Sequence, residues 1–191
     1  MTDRVLVAGV GNIFLGDDGF GPQVAGRLLG ERLPEQVRVV DYGIRGLHLA
    51  YDLLDGYQAL VLVDALPRAG RPGEVVVLEV GEDDLGTGSL DAHGMNPVAV
   101  LASLDGLGGQ LPRTVVVGCA PLDVGEGIGL TPLVQGAVEV AAGTVRGLVD
   151  DLLSPAAPPP VPPPVPQPVP QPVPQPVPGA ATASTIRPEG A

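Results

Sequence analysis

Apolar positions along the chain come in short Val/Leu/Ala runs broken by glycine and polar loops, and the runs change period from one to the next. Arg4–Val10 is almost continuously apolar, the pattern of a strand buried on both faces. A loop over Gly11–Gly19 follows. Pro22 suits the first turn of a helix, which the spacing of Val24, Ala25, Leu28 and Leu29 carries on one face to about Leu33. Val37–Asp41 reads as a second strand, and a helix near Leu47–Leu54 follows a glycine-containing turn. Gln58–Asp64 is a third strand, Val75–Val80 a fourth and Arg113–Cys119 a fifth, with Thr131–Leu153 a long closing helix. Strands alternating with helices predict an α/β fold: a three-layer arrangement with a mostly parallel, twisted five-stranded sheet and helices on both faces.

The fourth strand breaks the alternation. The short link from the third strand contains Pro67, Gly70, Pro72 and Gly73, and a parallel crossover needs about a dozen residues or more. Strand four is therefore expected to run antiparallel at an edge. Residues 81–92 must then return up the domain, and a helix beginning near Asn96 can descend into strand five. Beyond residue 153 the pattern changes altogether. Pro155–Pro178 repeats Pro-Pro-Val and then Pro-Gln-Pro-Val, a composition that cannot pack a core and favours polyproline II. The expected organisation is a domain over residues 1–153 and a disordered proline-rich tail over 154–191, read as a solvated appendage or a docking ligand for a partner.

Charge and composition narrow the function. The formal net charge is −12, and all ten basic residues are arginine. Such an acidic chain repels phosphate backbones and anionic membrane surfaces, so neither a nucleic acid nor a membrane is expected as partner. The opening residues show no ordered signal-peptide pattern, and no apolar run is long enough for a membrane span. The single cysteine, Cys119, fits a reducing cytoplasm.

Several chemistries are excluded. Gly9-Val10-Gly11 follows the first strand, but a dinucleotide fingerprint needs glycine where Phe14 stands. A P-loop needs a lysine, and a Gly-x-Ser-x-Gly elbow is absent. Cys119, with His93 as a base, could serve as a nucleophile, but a small buried hydrophobe is the better reading. His48 falls among Leu47, Leu49 and Ala50 and reads as structural. In an open α/β sheet, sites form beyond the carboxyl ends of the parallel strands. Asp18 in the loop after strand one, Asp64 closing strand three and His93 between glycine-flanked residues all fall at that edge. Two carboxylates and an imidazole suit a divalent transition metal with open positions. Plainer roles stay open: Asp17 or Asp18 at the positive end of the following helix, Asp64 bonding turn amides, His93 an ordinary loop residue.

The segment Gly9-Val10-Gly11-Asn12-Ile13-Phe14-Leu15-Gly16-Asp17-Asp18-Gly19-Phe20-Gly21 resembles the opening motif of the hydrogenase maturation endopeptidases. The resemblance continues through Asp41-Tyr42-Gly43, Leu62-Val63-Asp64-Ala65, Asp91-Ala92-His93-Gly94-Met95 and Gly127-Ile128-Gly129-Leu130-Thr131-Pro132. It covers about residues 4–153 and leaves the tail unmatched. It implies an aspartyl-type endopeptidase that cuts a short C-terminal extension from a nickel–iron hydrogenase large-subunit precursor after nickel insertion. It places metal contact and catalysis on Asp18, Asp64 and His93, and cleft-lining roles on Asn12, Asp41 and Gly43. The nickel is expected to come with the substrate, with no tightly bound cofactor in the isolated protein. The alternatives are a non-catalytic metallocentre chaperone for the same precursor and a small-molecule enzyme using the Gly9–Gly21 loop as an anion site.

Overall fold

The apolar runs pair into one sheet in the computed structural model, which describes residues 4–67, 70–81, 101 and 104–154. Strand β1 (Val5–Val10) lies between β2 (Val37–Gly43) and β3 (Ala59–Ala65), and both pairings are parallel. Strand β5 (Arg113–Cys119) extends the parallel set beside β3, and β4 (Val75–Val80) closes the edge antiparallel to β5. The order is β2-β1-β3-β5-β4. The antiparallel edge strand follows from the short connection after β3, as expected from its length.

Helices α1 (Phe20–Leu29) and α3 (Pro132–Leu153) cover one face of the sheet, and α2 (Gly46–Leu53) covers the other. The residues of β1 alternate between the two cores. Val5 and Val7 pack with Phe20, Val24 and Leu28 of α1 and Val138, Ala141 and Val145 of α3. Leu6 and Ala8 pack with Leu49, Ala50 and Leu53 of α2. A central strand buried on both faces thus joins the two layers of helices. Among the described residues no helix is long and apolar enough to cross a membrane.

Three details correct the sequence reading. Helix α1 ends at Leu29 and not near Leu33, because the chain turns at Gly30, whose amide bonds to Leu28 O. Leu29, expected on the buried face, is exposed, since one residue beyond Leu28 rotates the side chain about 100° around the helix. His48 lies on the exposed side of α2, whose buried stripe is Leu49, Ala50 and Leu53, so it does not pack into the core. Of the expected return segment 81–92 all but residue 81 lies outside the described residues, as do the start of the helix near Asn96 and the proline-rich tail.

Candidate active site

The chain leaves β1 toward one neighbour, β2, and then returns to the other side of β1 as β3. The carboxyl ends of β1 and β3 therefore flank the point where the strand order reverses, the place where open α/β sheets hold their ligands. Helix α1 begins directly over this point. Gly21 makes that approach possible: a Cβ there would meet Val10 O at 2.2 Å and Val63 O at 2.3 Å.

The loop after β1 is built to turn back on itself. A shift in register lets Val10 pair with Gly43 of β2, and Gly11 N–H donates to Gly43 O (3.1 Å). Gly11 then adopts φ +133°, and a Cβ there would lie 1.9 Å from Asp18 O, so the loop closes only over glycine. Asn12 Oδ1 accepts from the Phe14 amide at 3.0 Å. A 3₁₀ turn over Gly16–Gly19 follows and carries Asp17 and Asp18.

Asp18 is half-buried, and its Oδ2 accepts from the Asn12 amide at 2.7 Å. Its Oδ1 takes no hydrogen bond from the described residues. Asp64 is the penultimate residue of β3, where Oδ1 accepts from the Ala65 amide at 2.8 Å. Burial, and then the negative charge of Asp18, push the Asp64 carboxyl well above the ordinary carboxylate range, with the Ala65 amide pulling weakly the other way. The turn after β1 and the end of β3 thus bring two acidic groups to one edge of the sheet.

The remaining expected residues are placed unequally. Asp41 is exposed at the end of β2 and accepts from the Gly43 amide at 2.9 Å; Gly43 adopts φ +52°. Asp41 shares the lining of a surface cleft of about 450 Å³ with Ile13, Pro22, Gln23, Arg27 and Gln135. Asn12 lies in the β1 loop beside Asp18. His93 lies outside the described residues. Cys119 is fully buried at the end of β5, and burial together with the nearby Asp17 charge raises its thiol to about 11. A buried, protonated thiol is not a nucleophile.

Asp17 has a role that sequence reasoning missed. It was read only as a candidate for the positive end of the following helix, yet its carboxylate is fully buried and faces a different loop. It accepts from the amides of Leu122 (2.9 Å), Asp123 (3.0 Å) and Thr131 (2.6 Å) and from the Thr131 hydroxyl (2.9 Å). Burial alone would raise its pKa, but these donors outweigh burial and hold it below the ordinary value. Its partners are more than a hundred positions away in sequence, so only two adjacent acids in a glycine-flanked turn hinted that one carboxylate served structure.

Residues 23–147 match the family model described as hydrogenase maturation protease. That span includes Asp41, Gly43, Asp64 and His93, whereas Asn12 and Asp18 precede it. The hydrogenase expression/formation protein HupD of Rhodobacter capsulatus is 33% identical over 73% of this chain and 68% of its own. A putative hydrogenase maturation protease of Methanocaldococcus jannaschii is 30% identical over 74% of this chain and 96% of its own. Among solved structures, the hydrogenase-maturating endopeptidase HybD of Escherichia coli superposes with a TM-score of 0.68 at 30% identity, covering 78% of this chain and 93% of that one. The open α/β sheet with acids at its switch point is thus the framework of a peptidase. The chain belongs to the hydrogenase maturation protease family.

Proposed function

We propose that this peptidase removes a C-terminal extension from the large-subunit precursor of a nickel–iron hydrogenase once nickel is in place, and that it reads the metal as part of its substrate. The observation that carries the proposal is the placement of Asp18, in the turn after β1, and Asp64, at the end of β3, at the switch point, where the Asp18 charge adds to burial in raising the Asp64 carboxyl. A divalent cation there relieves that repulsion and favours the ionised Asp64 carboxylate. The family resemblance adds His93, and a set of two carboxylates and an imidazole suits a divalent first-row metal such as nickel. Such a set leaves positions open for the precursor's own cysteines. A loaded precursor therefore bridges the two proteins, and an empty one does not. Nickel in this account belongs to the substrate and is not a resident cofactor.

The attacking group is water, since the Cys119 thiol is buried and protonated. Asp18 and Asp64 are suited to orient that water and to move its proton, an aspartyl-type arrangement in which the raised Asp64 carboxyl can hold a proton. The substrate's cation adds polarisation of the scissile carbonyl. Asn12, Asp41 and Gly43 would line the path of the departing peptide. A reducing cytoplasm suits the unpaired Cys119.

Incubation with nickel-loaded and nickel-free precursor, followed by intact-mass measurement, tests the proposal. Loss of a C-terminal peptide is expected from the loaded form alone, and equal cutting of both would remove the nickel gate. Asp18→Ala, Asp64→Ala and His93→Ala should each abolish cutting, whereas Cys119→Ala should retain it.

A further inference from the structure

The loop after β5 and the loop after β1 are stitched into one surface. Leu15 and Gly127 form an isolated parallel bridge, with Gly16 N–H donating to Gly127 O (3.0 Å) and Gly127 N–H to Phe14 O (2.9 Å). Asp17 N–H donates to Asp123 O (2.8 Å), and the buried Asp17 carboxylate secures Leu122, Asp123 and Thr131. Yet this well-tied surface carries apolar side chains into water: Phe14 is 60% exposed, Ile128 81%, Leu122 56%, Val124 47% and Ile13 44%. Phe14 and Ile128 each adjoin a residue of the bridge. Ile13 sits against Gly19, where a Cβ would lie 3.2 Å from Ile13 Cα. The same backbone that positions Asp18 therefore presents these side chains.

Apolar side chains gathered beside an active site mark a binding surface, and loops already held by buried hydrogen bonds lose little further freedom when covered. Charge identifies the occupant. The exposed acids Asp123 and Glu126 lie in the β5 loop, while residues 5–26 and 114–145 contain no lysine or arginine. Arg27, which shares a cleft with Ile13, is paired with Glu31 and Glu139, so the loops' own charge is acidic and fits a chain whose apolar side chains are flanked by cations. A second copy of this protein would bring acid against acid. The chain's own segment 155–178 carries no charge at all and gives those acids no partner.

We propose that Ile13, Phe14, Leu122, Val124 and Ile128 form an apolar docking lip for the precursor polypeptide, gripping a segment of apolar residues flanked by Lys or Arg next to the bond to be cut. This rests on the peptidase reading above and names the surface that holds its substrate.

The test compares Phe14→Ser/Ile128→Ser with Leu29→Ser/Val140→Ser, apolar side chains exposed elsewhere on the surface, at 59% each. With nickel-loaded precursor, the lip variant should raise KM about tenfold with kcat within about twofold, while the control variant matches the unaltered protein. In the non-cutting Asp64→Ala background, titration with labelled precursor should show Kd weakened about tenfold by the lip substitutions. An unchanged Kd overturns the lip, whether or not the unaltered protein cuts. An equal effect from the control substitutions also overturns it. So does a dimer in sedimentation that the lip substitutions dissociate without changing Kd, since the occupant is then a second copy. Cutting that fails while the Kd effect holds would sink the peptidase reading and leave the lip standing.

Discussion

Asp17, which ties down the loop after β5, and Asp64, at the candidate site, answer to pH in opposite directions. The Asp64 pKa is raised in the folded, metal-free protein. Its ionised form is therefore disfavoured by folding, and the stability it withholds at neutral pH returns as pH falls through its raised value. The Asp17 pKa is lowered. Its contribution is complete above the ordinary aspartate value and is lost as pH falls through the lowered folded one. Asp64→Asn should thus raise the urea midpoint of the metal-free protein at pH 7 while abolishing cleavage. Asp17→Ala should cost at least about 3 kcal/mol, because three amides and a hydroxyl lose their acceptor inside the protein. A lower midpoint for Asp64→Asn would show that its carboxylate supports the fold and is not a functional strain.

At the scale of elements, α1 decides how the site is roofed. Its stripe Phe20, Val24 and Leu28 is buried against β1, β3 and α3, and its first turn rests on Gly21 over the strand ends. Side chains at the far end test whether that stripe holds it down. Leu28 is fully buried and Leu29 is 59% exposed. Leu28→Ala should cost about 2–5 kcal/mol in chemical denaturation, and Leu29→Ala should stay within about 0.5 kcal/mol. Equal costs would mean that the helix does not sit in the observed phase. Arg27 of α1 also pairs with Glu31 and with Glu139 of α3, and Arg146 of α3 returns to Glu31. These exposed pairs fix the relative position of the two helices more than they stabilise it.

At the scale of the whole molecule, the acidic balance governs encounter. With a formal charge of −12, the protein attracts a cationic partner surface over roughly one Debye length, about 10 Å at 0.1 M salt. KM for the precursor should rise steadily as NaCl is taken from about 50 to about 500 mM, with kcat little changed. A KM indifferent to salt would leave apolar contact as the whole of docking. Surface charge and the docking lip are separable in this assay, since salt weakens the first and leaves the second intact.

The strands, their parallel sense, the antiparallel edge and the closing helix were legible in the sequence because each depends on local information. Hydrophobic period distinguishes strand from helix, and connection length restricts strand direction. Asp18 and Asp64 were legible as candidates for a related reason: one lies in the loop after an apolar run and the other ends one, and the carboxyl ends of parallel strands share one edge. Helix α1 stopped earlier than its period suggested because a turn at Gly30 competed with continuation. The exposure of His48 was a matter of helix phase, which a short element does not announce. Only the tertiary structure decided what Asp17 does and that the loops after β1 and β5 form one surface. Those contacts join residues more than a hundred positions apart through backbone amides. Every residue but proline carries such an amide, so no side-chain pattern records which of them will meet.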